Sequence, residues 1–269
     1  MPGGTAFYFS HALNKLGISY LLVTAIAEAE MRYVDDLRHA GINIKVQPSA
    51  NTVYFENIYG ENQDERTQNV LAKADPFTME QLLNVDAKIF HLGPLLADDF
   101  SVDFIKSLSK KGKLSLDVQG YLRKVVDKKV YATGWPDKKE ALQYIDIVKA
   151  DVAELQALTG YDNVTDGARL LADWGVKEIV ITNGSKGSVI YHDETFYTIP
   201  AYQPKKITDA TGCGDTYMAG YLYQRVKGSA IQQSGEFAAA MAALKMESSG
   251  PFTGSADDVM LFLAGFANQ

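Results

Sequence analysis

Short apolar runs rich in β-branched residues alternate along this chain with segments of helical period, and that alternation restricts the fold more than any other feature. Strands that are apolar throughout need cover on both faces, which helices supply on either side of a mostly parallel sheet. Residues 20–27, 88–92, 113–118, 145–150 and 177–182 read as strands. Between them, residues 5–16, 30–40, 98–110, 152–159 and 165–174 read as helices, the first with Phe9, Leu13 and Leu16 on one stripe and Gly17 as its stop. Two later helices carry core stripes, Met218 with Leu222 and Phe237 with Met241 and Leu244.

One segment breaks the alternation. Residues 52–59 and 65–71 are extended runs joined by the polar turn Gly60-Glu61-Asn62-Gln63-Asp64, so a β-hairpin is expected within residues 48–72. It reads equally as an element standing off the sheet, a lid or dimer contact, or as a plain edge hairpin of the main sheet. No repeat or long linker interrupts residues 1–269, which read as one domain.

Charge and cysteine usage narrow the setting. The chain has 26 Lys and Arg against 33 Asp and Glu, a formal net charge of -7, so a general affinity for nucleic acid or anionic membrane is not expected. The lone Cys213 excludes an internal disulfide, and His11, His39, His91 and His192 show no metal-binding spacing. A reducing cytoplasm fits this pattern. No apolar run reaches membrane-spanning length, and Met1-Pro2-Gly3-Gly4 has no signal-peptide character.

The most informative motif is Asp209-Ala210-Thr211-Gly212-Cys213-Gly214-Asp215-Thr216-Tyr217-Met218-Ala219-Gly220, a small-residue turn running into an apolar helix. Unpaired N–H groups at a helix start sit at the positive end of the helix dipole, so Gly212, Cys213 and Gly214 can close on a phosphate while Asp215 stands beside it as a base. The plainer reading makes Asp215 an N-cap and the glycines an ordinary turn.

Three further clusters accompany it. Thr182-Asn183-Gly184-Ser185-Lys186-Gly187 joins two extended runs and reads either as a hairpin turn or as a place where a nucleotide approaches the backbone. It is not a Walker loop, because Gly-x-x-x-x-Gly-Lys-Ser/Thr is absent from the sequence. Asp151 and Glu154, at the end of a strand, have the spacing of a capping box and also suit Mg²⁺, with Glu154 acting through a metal-bound water. Gly3 and Gly4 precede the first helix, either as a simple loop or as a surface for a polyhydroxylated substrate.

In this order the features resemble the PfkB, or ribokinase-like, family of carbohydrate and nucleoside kinases, from Gly3-Gly4 to Gly250. The resemblance implies a three-layer α/β/α fold with a mostly parallel sheet and a small β lid formed by the hairpin. It implies transfer of the γ-phosphoryl group of ATP to a hydroxyl of a sugar, inositol or nucleoside, with Mg²⁺ and, as an open option, a monovalent cation. By similarity Asp215 is the base and the amides from Gly212 to Asp215, those of Cys213 and Gly214 included, form the anion hole. Thr182, Gly184 and Gly187 match the ATP-binding turn, and Asp151 and Glu154 match the Asn-x-x-Glu element that organises Mg²⁺ and phosphate. Gly3 and Gly4 match the pair that borders substrate. Gln119 and Arg123 belong to a looser match, Asp117-Val118-Gln119-Gly120-Tyr121-Leu122-Arg123, and are candidates to touch substrate, against the default of a solvated arginine.

The implied partners are a polyol, sugar or nucleoside and a second copy of the chain through the lid. Residues 54–59 and Arg66 in the hairpin, with His91-Leu92-Gly93-Pro94-Leu95 and residues 116–120, lean towards the inositol and nucleoside branches. Three departures stand out. Cys213 replaces an alanine, Asp151 replaces an asparagine, and the glycine pair lies at positions 3 and 4, where the family places a β-strand and a substrate-gripping aspartate first. The N-terminal strand is therefore expected to be missing, through a late start, a truncation or a true loss. The alternative function is a catalytically weak paralogue that binds sugar or nucleotide as a sensor or partner subunit.

Overall fold

The computed structural model of the chain describes residues 2–59 and 66–267. It opens with helix α1 (Gly4–Asn14), strand β1 (Leu22–Ile26), helix α2 (Met31–His39) and strand β2 (Ile44–Pro48). Strands β3 (Tyr54–Tyr59) and β4 (Arg66–Ala72) follow, then β5 (Ile89–Leu92), α3 (Val102–Leu108) and β6 (Lys113–Asp117). The hairpin β7 (Arg123–Val126) and β8 (Lys129–Ala132) leads to α4 (Lys138–Leu142), β9 (Ile147–Asp151), α5 (Val152–Thr159), α6 (Val164–Asp173) and β10 (Glu178–Thr182). Strands β11 (Ser188–His192) and β12 (Thr195–Ile199) and helices α7 (Cys213–Val226), α8 (Ile231–Met246) and α9 (Ala256–Ala267) complete it.

A six-stranded sheet in the order β12-β11-β10-β9-β6-β5 forms the middle layer. Its strands β10, β9, β6 and β5 are parallel, while β11 and β12 turn back antiparallel. Side chains alternate across the sheet with period two. Leu114, Leu116, Val148, Ala150, Ile179 and Ile181 face a core shared with α3, α5 and α6, whereas Ile147, Val180, Ile190 and Ile199 face one shared with α7 and α8. Each fully buried leucine or isoleucine contributes about 1.5–3 kcal/mol, so both helical layers are held firmly to the sheet behind the strand ends. Register sets the polar residues at those ends: Asp117 lies opposite Lys149 and Asp151 opposite Thr182.

The expected hairpin is present as β3 and β4, but in a separate four-stranded antiparallel sheet of order β3-β4-β8-β7, so the edge-hairpin alternative does not hold. Its two further strands follow one another through Asp127 and Lys128, both at positive φ (48° and 67°), the geometry of a tight two-residue turn without the usual glycine. The expected turn Gly60-Glu61-Asn62-Gln63-Asp64 and the side chain of Arg66 lie outside the described residues.

Among the described residues, strands β1 and β2 pair only with each other, in parallel, and β5 is the edge of the main sheet. A cavity of about 780 Å³ is lined by Leu22 and Thr24 of β1, Ile89 and His91 of β5 and Phe9 of α1.

Candidate active site

Helix α7 begins at Cys213, with Gly212 as its N-cap at φ 77°, a left-handed conformation that favours glycine. A Cβ on Gly212 would lie 2.3 Å from the Tyr8 ring, so packing as well as conformation requires glycine there. Asp215 is the third helical residue and not the N-cap of the plainer reading. The Cys213 N–H donates to Ala210 O at 3.2 Å and the Thr216 N–H to Gly212 O at 2.9 Å. The amides of Gly214 and Asp215 therefore carry the anion-binding capacity of this helix end. The Cys213 thiol points towards Ala242 O, 3.8 Å away on α8, and burial pushes its pKa up to about 11, so it stays protonated.

Asp215 is largely buried. Burial and the nearby Asp117 raise its carboxyl from an ordinary 3.8 to about 6, against a hydrogen bond from the Thr5 side chain and the charges of Lys149 and Arg123. The link to Thr5 places the Gly3-Gly4-Thr5 entry of α1 beside this carboxylate. Gly4 has φ 71°, a Cβ on it would lie 3.2 Å from the Leu95 side chain, and the 93–96 loop is held by Asp99 accepting from the Leu95 and Leu96 N–H groups.

Next to it is a cation that the strand pattern conceals. Lys149 lies on the α7 face of β9, its Nζ 3.0 Å from Asp117 Oδ2 and 3.8 Å from Glu154 Oε2. Burial pulls its pKa down, but Asp117 and Glu154 more than offset this and hold it above the ordinary lysine value. A Cβ on Gly214 would come within 3.3 Å of Lys149 Nζ, so the ammonium lies directly against the start of α7. Sequence reasoning passed over Thr5, Asp117 and Lys149 as site residues. The signal for Lys149 was a charge inside a buried apolar strand, which is costly unless paired.

Asp151 and Glu154 form the expected capping box: the Glu154 N–H donates to Asp151 Oδ1 and the Asp151 N–H to Glu154 Oε2, both at 2.7 Å. Burial raises the Glu154 carboxyl, opposed by Lys149. Among the described residues no group of three His, Cys, Asp or Glu side chains is arranged to hold a metal directly. With one oxygen of each carboxylate already accepting a backbone N–H, Asp151 and Glu154 suit a hydrated Mg²⁺ reached through water.

Thr182 ends β10 beside Asp151, and Gly184 to Lys186 form a single 3₁₀ turn closed by the Asn183 N–H on Gly187 O at 2.8 Å. A Cβ on Gly187 would lie 2.2 Å from Ile199 O, so the approach of β12 already explains that glycine. Gly184 has φ 51° and open space on its Cβ side. Gln119 is exposed, and its backbone N–H donates to Asp117 Oδ1. Arg123 is not simply solvated: its guanidinium lies 5.5 Å over the Phe55 ring of β3 and 3.4 Å from Leu95 O, and its charge reaches Asp215. The antiparallel sheet is thus tied to the cleft. His91, half-buried and stacked on Phe9 at 4.5 Å, is pushed down to about 4 by desolvation and is neutral.

A carboxylate beside a helix N-terminus, backed by a lysine at parallel strand ends, is a site for oxyanion chemistry. Comparison with known proteins places it in a family: the sequence model of the pfkB family carbohydrate kinases matches residues 1–258. The chain belongs to the PfkB family of carbohydrate kinases. A cytidine kinase of Thermococcus kodakarensis is 29% identical over 251 residues, 87% of this chain and 83% of that protein. The PfkB chain also matches the solved structure of a pyrophosphate-dependent kinase in the ribokinase family, complexed with a pyrophosphate analog and myo-inositol. That match has a TM-score of 0.84 and 28% identity and covers 96% of this chain and 90% of the other. Ribokinase from Arabidopsis thaliana, solved with ribose and ATP, shares the fold at a TM-score of 0.76 and 21% identity, over 97% of this chain and 87% of its own. The relatives are kinases of sugars, inositol or nucleosides, and this PfkB chain is a kinase of that type with a ribokinase-like fold. No described helix is long and apolar enough to cross a membrane.

Proposed function

We propose that this kinase transfers the terminal phosphoryl group of ATP to a hydroxyl of a sugar, inositol or nucleoside, with Asp215 as the base. The observation that carries the reading is the position of Asp215: third in α7, largely buried, hydrogen-bonded by Thr5 and poised at about 6 beside the Gly214 amide. A carboxylate there is ionised at neutral pH yet basic enough to take a hydroxyl proton. Phosphoryl transfer needs alignment and charge neutralisation more than a strong base. The amides of Gly214 and Asp215 and the Lys149 ammonium meet the transferred group, and Asp215 accepts the acceptor's proton.

Asp151 and Glu154 would hold Mg²⁺ through water, and the ion would neutralise the donor's phosphate oxygens. Thr182, Gly184 and Gly187 border the donor. Gly3, Gly4, Gln119 and Arg123 border the acceptor, with Arg123 linking it to the antiparallel sheet, which acts as the lid. Residues 1–269 act as one catalytic unit working in the cytoplasm, with neither nucleic acid nor membrane as partner. Two copies associate through the lid, whose Tyr54, Ile58, Leu71, Val126 and Tyr131 are exposed apolar side chains.

Pyrophosphate is the second candidate donor, because the 28%-identical solved relative uses it. The test is a phosphate-transfer screen with Mg²⁺, crossing ATP and pyrophosphate against sugars, inositols and nucleosides. Turnover with one donor that drops about 10²-fold in Asp215→Asn supports the reading. Binding of an acceptor or nucleotide with no transfer from either donor would establish the sensor-like alternative instead.

A further inference from the structure

Behind the turn that presents Asp215 lies a second buried lysine. Lys245 is in the last turn of α8 and is fully buried. Its ammonium donates to the backbone O of Asp209 at 2.7 Å and to Asp209 Oδ2 at 3.1 Å, and it lies 5.9 Å over the Tyr8 ring. The Asp209 carboxylate in turn accepts the Thr211 N–H at 2.8 Å and the Gly250 N–H at 3.4 Å. Burial alone would raise this carboxyl, yet its hydrogen bonds to Thr211 and Lys245 bring it down to about 2. The Thr208 N–H donates to Met246 O at 2.8 Å, which fixes the same segment to the exit of α8.

These contacts converge on the turn from Asp209 to Gly212. One side is held by Lys245, and the other meets the Tyr8 ring, against which Gly212 packs without room for a Cβ. A carboxylate and a main-chain carbonyl at the negative end of a helix create a strong demand for a cation. The chain meets it covalently. A fully buried ammonium is itself costly unless its donors are used, and Lys245 spends two on Asp209 and directs its charge at an aromatic face.

We propose that Lys245 is a built-in counter-ion that holds the 209–212 turn, and with it the Gly214 and Asp215 amides, in the anion-binding conformation, so that phosphoryl transfer needs no dissociable monovalent cation. Lys245 is a positioning residue, acting on the donor through Asp209 and the helix start. The inference rests on the phosphoryl-transfer reading for its kinetic consequence but not for its binding consequence.

The test uses the full chain, in tetramethylammonium chloride with and without K⁺ at matched ionic strength. Isothermal titration calorimetry with inorganic pyrophosphate reads the anion hole, and phosphate transfer reads turnover. The wild type is expected to bind pyrophosphate and turn over equally well with or without K⁺. Lys245→Met is expected to lose about tenfold or more in both, the scale of one charged hydrogen bond, and to regain them as K⁺ is added. Lys245→Gln, which keeps a donor, serves if the methionine variant does not fold. A wild type that needs K⁺, a variant as active as wild type without K⁺, or a folded variant whose loss K⁺ does not repair would each overturn the inference. A wild type that binds pyrophosphate without K⁺ but phosphorylates no acceptor sinks the functional reading and leaves the built-in cation standing.

Discussion

Asp215→Asn should disable the enzyme and stabilise the fold, and the structure gives the size of the second effect. Holding the Asp215 carboxyl at about 6 instead of 3.8 means that the ionised folded state carries about 3 kcal/mol of strain, at 1.36 kcal/mol per pH unit. Because the folded state is the tighter proton binder, this group's contribution is most favourable below 3.8 and is lost as pH rises through about 6. Asparagine keeps an oxygen for the Thr5 hydrogen bond and has no charge to bury. Urea denaturation should therefore find Asp215→Asn more stable than wild type by about 3 kcal/mol near pH 8 and by roughly half that near pH 5. A variant that is less stable at every pH, by a constant amount, would make Asp215 a structural residue of the helix start and refute the reasoning.

The Asp117–Lys149 pair makes the opposite prediction: Lys149→Met leaves Asp117 and Glu154 buried without their cation and should cost about 3–5 kcal/mol in urea denaturation. The double variant Lys149→Met/Asp117→Asn should recover much of that stability without recovering turnover, which separates the two roles. Cys213→Ala should keep most activity in a transfer assay, because the thiol faces Ala242 rather than the anion; a thousandfold fall would give the sulfur a direct part. Ile58→Lys, on an exposed lid position, should shift sedimentation from dimer to monomer while leaving the single-copy fold intact, and an unchanged sedimentation coefficient removes the lid as the dimer contact.

The layered α/β architecture was legible because two periods are written into the sequence. Runs such as residues 177–182 are apolar on both sheet faces, and α1 repeats Phe9 and Leu13 at helical spacing. The capping box of Asp151 and Glu154 was equally readable, since both partners lie within one turn. What escaped depends on pairing across the chain. Lys149 acquires Asp117 only through the β6–β9 register, 32 residues apart in sequence, and Thr5 reaches Asp215 only when α1 packs on α7. Lys245 is embedded in an alanine-rich helix, where it passes for a surface position, although it follows Met241 by one turn on the buried stripe. The β7–β8 turn was missed because Asp127 and Lys128 adopt positive φ without a glycine to announce it. Asp215 looked like a cap because the true cap, Gly212, has no side chain to signal the role.

The role of Asp215 is tested most directly by the pH dependence of kcat/KM for whichever acceptor the screen identifies. If Asp215 is the base, log kcat/KM should rise with unit slope from acid and level off near the value of about 6 set by its burial. A profile that is flat down to about pH 4.5, below that value, in an enzyme that remains folded would contradict it.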